Sequence, residues 1–335
     1  MAERIVVIGA SAGGVEALMK VAAALPPDFA APVVIVLHIG AEGPSVLPQI
    51  LERSGPLPVR EASDGELLRP GTIYTAIPDH HVLVDEDRTL RLVKGPRENR
   101  HRPAIDPLFR SAALAFRSRC IGVILTGTLD DGTAGMLAVK KGGGVAIVQD
   151  PAEAMYPSMP QNVLDFVKVD YVLPLAGVAA KLAECVRTPC ATTERRANLE
   201  MLEMEKKIVA LDPKTLQDDD RPGTPSAYSC PDCGGVLWEI EDGEDYIRYR
   251  CRVGHAFSPE TMLDAQNDVL EEALWSAMKT LEESARLSAR LAANERRRGH
   301  DWLVKRFEEK ERDARARAEV IRKFLTVEEP QQARK

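Results

Sequence analysis

Three residue types that can share a proton relay lie in the first 131 positions of the chain: Ser11, His38 and an aspartate pair, Asp130-Asp131. Ser11 stands in GASAGG, residues 9–14, directly after the apolar run IVVI. The spacing G-x-S-x-G is that of a turn which lifts a hydroxyl from a strand end. Small neighbours let the backbone bend sharply and a carbonyl come close. A helix starting behind the serine turns its N–H groups and positive end toward a developing oxyanion. The same serine can also act only as a helix cap. Nucleotide binding fails on both glycine tests. Ser11 replaces the second glycine of G-x-G-x-x-G. Gly9 and Gly14 have P-loop spacing, but Val15-Glu16 follow where Lys and Ser/Thr are required.

A nucleophilic serine needs a base, and the base needs an orienting acid. His38 ends the run VVIVLH and is the best-placed base. His80 and His81 precede a hairpin, His101 lies in the basic loop NRHRP, His255 sits near cysteines, and His300 lies in a charged helical segment. Asp130 and Asp131 follow a third apolar run, GVILT, just before a helix expected near Thr133, which either of them can cap. A serine, a histidine and an aspartate thus each occupy a strand's carboxyl end. Their order also differs from the Ser…Asp…His of α/β-hydrolases, so a different fold is expected to reach similar chemistry.

A second constellation lies near the C-terminus. Cys230 and Cys233 form C-P-D-C-G-G, and Cys251 and His255 follow. Three thiolates and an imidazole suit tetrahedral Zn²⁺, and four protein ligands close the shell, so the expected site is structural. About 30 residues hardly build a core unaided, which motivates a metal staple. The alternative is a reduced, metal-free turn with His255 incidental.

These residues require a scaffold. IVVI (5–8), VVIVL (33–37), GVILT (122–126) and GVAIV (144–148) are continuous β-branched runs, as strands buried on both faces should be. Helix-like segments alternate with them, and HVLVDEDRTLRLV (81–93) reads as a hairpin. The expected fold class is α/β: a doubly wound, mostly parallel sheet with helices on both faces. The composition changes near residue 188. Residues 188–227 are expected to be a linker, 228–257 a zinc-ribbon-like module, and 258–326 a helical tail folded into a hairpin at Gly299. VLWEI and YIRYR, around DGED, supply two strands of the module.

The whole chain has 335 residues, 44% of them hydrophobic, with a net charge of -7. An acidic balance argues against nucleic-acid binding. No apolar run reaches membrane-spanning length, and the N-terminus lacks a signal peptide's layout, so a cytoplasmic location and reduced cysteines are expected. The tail is expected to bind a signalling partner or to self-associate.

VIGASAGGVEAL, the strand-end His38, AIPDHHVLV, HRPAIDPLFRSAA, LTGTLDDGTAGM and VLPLAGVAAKL occur in one order over residues 3 to 185. In this the chain resembles the chemotaxis protein-glutamate methylesterases, the CheB-type catalytic domain. The resemblance implies Ser11 as nucleophile, His38 as base and Asp131 as acid, with Asp130 at a variable position. It implies hydrolysis of glutamate γ-methyl esters on chemoreceptor helices without a cofactor, glutamine deamidation as a further activity, and a methylated receptor-like helical bundle as partner. The chain departs from the family's S-T-G-G at Ala12 and from its G-M-G at Thr128 and Leu129. Oxyanion donors are expected near Ala12 or in Gly127–Leu129, and Arg102 is a candidate for an accessory role. The first strand begins near residue 4, so no N-terminal receiver domain is expected. The competing reading is a catalytically degenerate esterase fold kept as a binding and signalling module.

Overall fold

The computed structural model of the protein describes residues 4–40, 45–189, 200–217, 221–243 and 245–326. The chain first runs β1 (Ile5–Ala10), α1 (Gly14–Ala24), β2 (Val33–Leu37), α2 (Leu47–Ser54), β3 (Val59–Glu61) and β4 (Ile73–Thr75). A hairpin follows, β5 (His81–Val84) with β6 (Leu90–Val93), then α3 (Ile105–Phe116), β7 (Cys120–Ile124), α4 (Thr133–Lys141), β8 (Val145–Gln149), α5 (Ser158–Phe166), β9 (Tyr171–Leu173) and α6 (Leu175–Arg187). Beyond these lie α7 (Glu200–Val209), α8 (Pro213–Gln217), β10 (Thr224–Ser229), β11 (Val236–Glu241), β12 (Ile247–Cys251), β13 (Ala256–Phe257), α9 (Pro259–Arg298) and α10 (Asp301–Thr326).

Seven strands form one sheet in the order β3-β4-β2-β1-β7-β8-β9, and all of their pairings are parallel. The continuous apolar runs follow from this, because such strands are covered on both faces. Along β1, Ile5 and Val7 enter one core with Leu108 and Phe109 of α3 and Met136 of α4. Val6 and Ile8 enter the other, with Leu18 of α1, Leu51 of α2 and Leu182 of α6. From β1 the chain winds first toward β2 and later toward β7, so the carboxyl ends of β2, β1 and β7 flank a topological switch point, where ligands bind in open α/β sheets.

The chain divides into two compact units, one up to Met262 and one from Leu263 on. The Cys/His-containing segment belongs to the first unit, where β10, β11, β12 and β13 make a four-stranded antiparallel sheet. The stretch 188–227, expected as a linker, contains α7, and its Glu205 is fully buried. Glu205 bonds through Oε2 to Arg248 (2.7 Å) and through Oε1 to Arg250 (3.1 Å), with Arg110 at 3.9 Å. Glu98 completes the network through Arg110 (2.5 Å) and Arg250 (2.8 Å). These countercharges come from α3 and β12, so α7 is an internal wedge between the parallel-sheet domain and the small sheet. In the second unit, α9 and α10 are antiparallel. Gly299 (φ 77°) makes the break, and Arg296–Glu308 and Glu282–Arg322 pair across the hairpin. Among the described residues no helix is long and apolar enough to cross a membrane.

Candidate active site and metal centre

Ser11 follows β1, His38 follows β2, and Asp131 closes the loop after β7, so three adjacent parallel strands deliver them to one sheet edge. His38 N–H bonds to the Ala10 carbonyl at 3.1 Å, and Ser11 N–H to the Thr126 carbonyl at 3.0 Å, which ties the three strand ends together. His38 Nδ1 lies 3.0 Å from Ser11 Oγ, and His38 Nε2 lies 2.7 Å from Asp131 Oδ2. A serine hydroxyl donating to Nδ1 and an Nε2–H donating to the carboxylate form a continuous relay in that tautomer.

Local sequence explains the turn. Gly13 has φ 71°, a conformation open to glycine, and is the residue before α1; no side chain caps that helix, so the capping alternative for Ser11 does not hold. Gly127 lies so close that an added Cβ would sit 2.9 Å from Ser11 Cβ. Thr126 Oγ1 donates to the Ala12 carbonyl (3.1 Å) and accepts from Tyr156 N–H (2.8 Å), fixing the backbone just past the serine.

Asp131 is buried and accepts four bonds: His38 Nε2 and Ile105 N–H at Oδ2 (both 2.7 Å), and Asn99 Nδ2 (3.0 Å) and Asp106 N–H (3.2 Å) at Oδ1. It therefore caps α3, a helix distant in sequence, and not the adjacent α4, whose N-cap Gly132 has no side-chain cap. Burial pushes its pKa up, but the bonds from His38, Ile105 and Asn99 prevail and hold it below the usual carboxylate range. Its neighbour Asp106 moves the opposite way, raised first by burial and then by the charge of Asp131. Asp130 faces elsewhere: it is hydrogen-bonded to Ser258, and burial raises its pKa to about 7.

Two contributors were not distinguished in the sequence. The His101 ring stacks on His38 with centroids 3.7 Å apart and planes 12° apart. Burial, then the neighbouring His38, lowers its pKa to about 4. Asn99 bridges Asp131 and Asp106 through one amide nitrogen, at 3.0 Å from each. Both lie in PRENRHRP, a stretch whose charges read as a solvated loop. Arg102, by contrast, is held by Asp79 (2.8 Å from Nε) and the Gly95 carbonyl (2.6 Å from Nη1), an anchoring contact that gives no support to an accessory role. Gly127 N–H is committed to the Tyr156 carbonyl, which removes it from the expected oxyanion donors. Leu129 has φ 60°, a left-handed conformation that glycine adopts most readily.

The family model for CheB methylesterase matches residues 6–182. The chain belongs to the CheB methylesterase family. A putative protein-glutamate methylesterase/protein-glutamine glutaminase of Leptospira interrogans is 41% identical over 174 residues, covering 52% of this chain and 90% of that protein. The protein-glutamate methylesterase/protein-glutamine glutaminase of Clostridium acetobutylicum is 37% identical over 182 residues, 54% of this chain and 53% of the other, so the chain spans about half the length of that longer relative. The crystal structure of the Thermotoga maritima CheB methylesterase catalytic domain superposes with a TM-score of 0.52 at 38% identity, covering 54% of this chain and 97% of that one.

Outside the matched region, the ligand atoms of Cys230, Cys233, Cys251 and His255 all lie within 4.8 Å of one another. Cys233 Sγ and Cys251 Sγ are 3.7 Å apart, and His255 Nδ1 is 3.5 Å from Cys251 Sγ and 3.7 Å from Cys230 Sγ. A tetrahedron with Zn–S bonds of about 2.3 Å has edges of roughly 3.8 Å, so the donor set fits that ion. Two turns present the ligands. Gly234 N–H bonds back to the Cys230 carbonyl (2.8 Å), and Gly254 N–H to the Cys251 carbonyl (3.0 Å). His255 faces the cluster with Nδ1, while its Nε2 is 3.8 Å from Asp232, beyond hydrogen-bond distance.

Proposed function

We propose that this chain is a cytoplasmic serine esterase that hydrolyses glutamate γ-methyl esters on a chemoreceptor-like helical bundle, with Ser11, His38 and Asp131 as its catalytic residues and Cys230, Cys233, Cys251 and His255 as ligands of a structural Zn²⁺. The observation that carries the esterase reading is the Oγ–imidazole–carboxylate relay, 3.0 Å and 2.7 Å long, at three adjacent strand ends.

In this mechanism Ser11 Oγ attacks the ester carbonyl while His38 Nδ1 takes its proton. N–H groups at Ala12 or at Thr128–Leu129 receive the oxyanion, and one such donor is typically worth about 3–4 kcal/mol of barrier. Collapse expels methoxide, which leaves as methanol with the proton from His38. Water then attacks the acyl-serine, giving up one proton to His38 and restoring both glutamate and Ser11. Asp131 holds the Nε2–H tautomer and balances the imidazolium. With a glutamine side chain the same steps release ammonia, which makes deamidation a second activity of the same site. Zinc takes no part in these steps; bound to its four ligands it would hold the small sheet together.

Methanol release from a methylated receptor fragment tests the reading. Ser11→Ala is expected to abolish turnover while leaving fold and receptor binding intact. Asp131→Asn is expected to be about 10⁴-fold slower, because the tautomer is lost but the oxyanion donors remain. Binding of the fragment without methanol from the parent protein would establish the degenerate signalling module instead.

A further inference from the structure

The small Cys₃His sheet meets the candidate triad through one turn, residues 98–101. Glu98 and His101 exchange both backbone bonds across it, at 3.2 and 2.9 Å. Between them Asn99 (φ 49°) and Arg100 (φ 69°) are both left-handed without being glycine, a conformation disfavoured for residues with a side chain, less so for Asn. Such a turn persists only where its surroundings hold it.

Residues around the fourth metal ligand do so. Asn99 N–H donates to the Ala256 carbonyl (2.8 Å), and Ala256 N–H to the Arg97 carbonyl (3.3 Å). Asn99 Oδ1 accepts from Ser258 N–H (3.2 Å) and from Thr261 Oγ1 (3.3 Å). Arg250, one residue before Cys251, anchors the Glu98 side chain at 2.8 Å. Gly254, between Cys251 and His255, is pressed in so tightly that a Cβ would sit 2.7 Å from Ile208 and 2.9 Å from Pro96. The amide fixed on its oxygen side by residues 258–261 then delivers its nitrogen to Asp131 Oδ1, at 3.0 Å. On the same turn, His101 covers the ring of His38.

We propose that Asn99 is a positioning residue for the esterase reaction, and that the metal-bearing sheet at residues 224–257, together with the segment 258–261 that leaves it, sets its orientation. The proposal rests on the Ser11–His38–Asp131 and Cys₃His readings above, and deepens them: the two sites act as one. Removing the amide, or loosening the segment that follows His255, leaves Asp131 Oδ1 with only the longer bond from Asp106 N–H (3.2 Å) and lets the carboxylate turn away from His38 Nε2. The site loses geometry at the acid, while the ester-binding surface at Ser11 is untouched.

The test uses the full chain, p-nitrophenyl acetate as ester, and the low-field proton resonance of the His38–Asp131 hydrogen bond. Asn99→Ala is expected to lower kcat about 10- to 100-fold with KM within twofold, and to broaden or shift that resonance. Thr261→Val, which removes the hydroxyl that donates to Asn99 Oδ1, is expected to act in the same direction, by a fewfold. Removing metal with a chelator, and restoring it with Zn²⁺, is expected to lower and recover kcat in the parent but to add little in Asn99→Ala, because the two perturbations share one route. An unchanged kcat and resonance in Asn99→Ala overturns the proposal. Equal, multiplying losses on chelation in parent and variant overturn the coupling. If the parent shows no Ser11-dependent turnover, the esterase reading fails by itself, and the resonance still decides whether Asn99 orients Asp131. If no Zn²⁺ is bound, the Thr261→Val variant decides the coupling.

Discussion

Asp130 should make the protein weaken as pH rises. Its side chain is 3% exposed, its Oδ1 has no hydrogen-bond partner among the described residues, and the hydroxyl of Ser258 is its polar neighbour. Burial therefore lifts its pKa from the ordinary 3.8 to about 7. The folded chain keeps a proton on Asp130 that the unfolded chain has already released in this window. Stability is full below the unfolded value and falls as pH rises through the folded one. At about 1.4 kcal/mol per pH unit, the whole loss is ~4 kcal/mol, of which ~2 kcal/mol falls between about pH 5 and pH 7. Asp130→Asn keeps the shape and removes the titration. Urea unfolding of parent and variant at about pH 5 and about pH 8 measures it. The stability of the variant relative to the parent should grow by about 3 kcal/mol over that range, since other titrating groups cancel in the difference. A gap that stays constant with pH would show that Asp130 is solvated or paired in solution, and would refute the argument from burial.

Two further outcomes follow from the small sheet and its wedge. Glu205→Ala removes a fully buried carboxylate facing Arg110, Arg248 and Arg250, and should cost about 3–5 kcal/mol in urea unfolding, since the arginines stay buried without their partner; an unchanged midpoint would mean that the network is hydrated. Protein purified without added metal should carry about one Zn²⁺ per chain, held by Cys230, Cys233, Cys251 and His255, and Cys230→Ser should lower that content in elemental analysis; equal zinc in both would place the metal elsewhere.

Ser11, His38 and Asp131 could be singled out because each lies within a few residues after a β-branched run, and strand ends in a parallel sheet share an edge. What decides their meeting is the adjacency of β2, β1 and β7, and that is a property of the crossovers. The sequence marked Asp130 and Asp131 as caps for the helix that follows them, but Asp131 caps α3 instead, a helix 26 residues earlier in the chain by its bond to Ile105. Local spacing cannot reveal such a partner. The same limit explains α7. EMLEMEKKIV looks like a solvated charged helix, and Glu205 carries no mark of burial. Its burial is decided by Arg110 on one side in sequence and Arg248 and Arg250 on the other.

PRENRHRP was harder still, since charged residues with no periodicity read as a surface loop. Yet Glu98 is 1% exposed and Asn99 4%. A carboxylate is not buried in this way unless cations meet it, and Arg110 and Arg250 do so from 12 and 152 residues further along the chain. The turn beside the triad is therefore specified jointly by the family domain and by a segment outside it. Residues 6–182 carry Ser11, His38 and Asp131, but the position of Asn99 against Asp131 depends on Ala256, Ser258 and Thr261. A fragment ending near residue 187 would keep every residue of the triad. It would also leave Glu98 and Arg110 without Arg250 and Glu205, and the left-handed turn at Asn99 and Arg100 without its backbone bonds to Ala256.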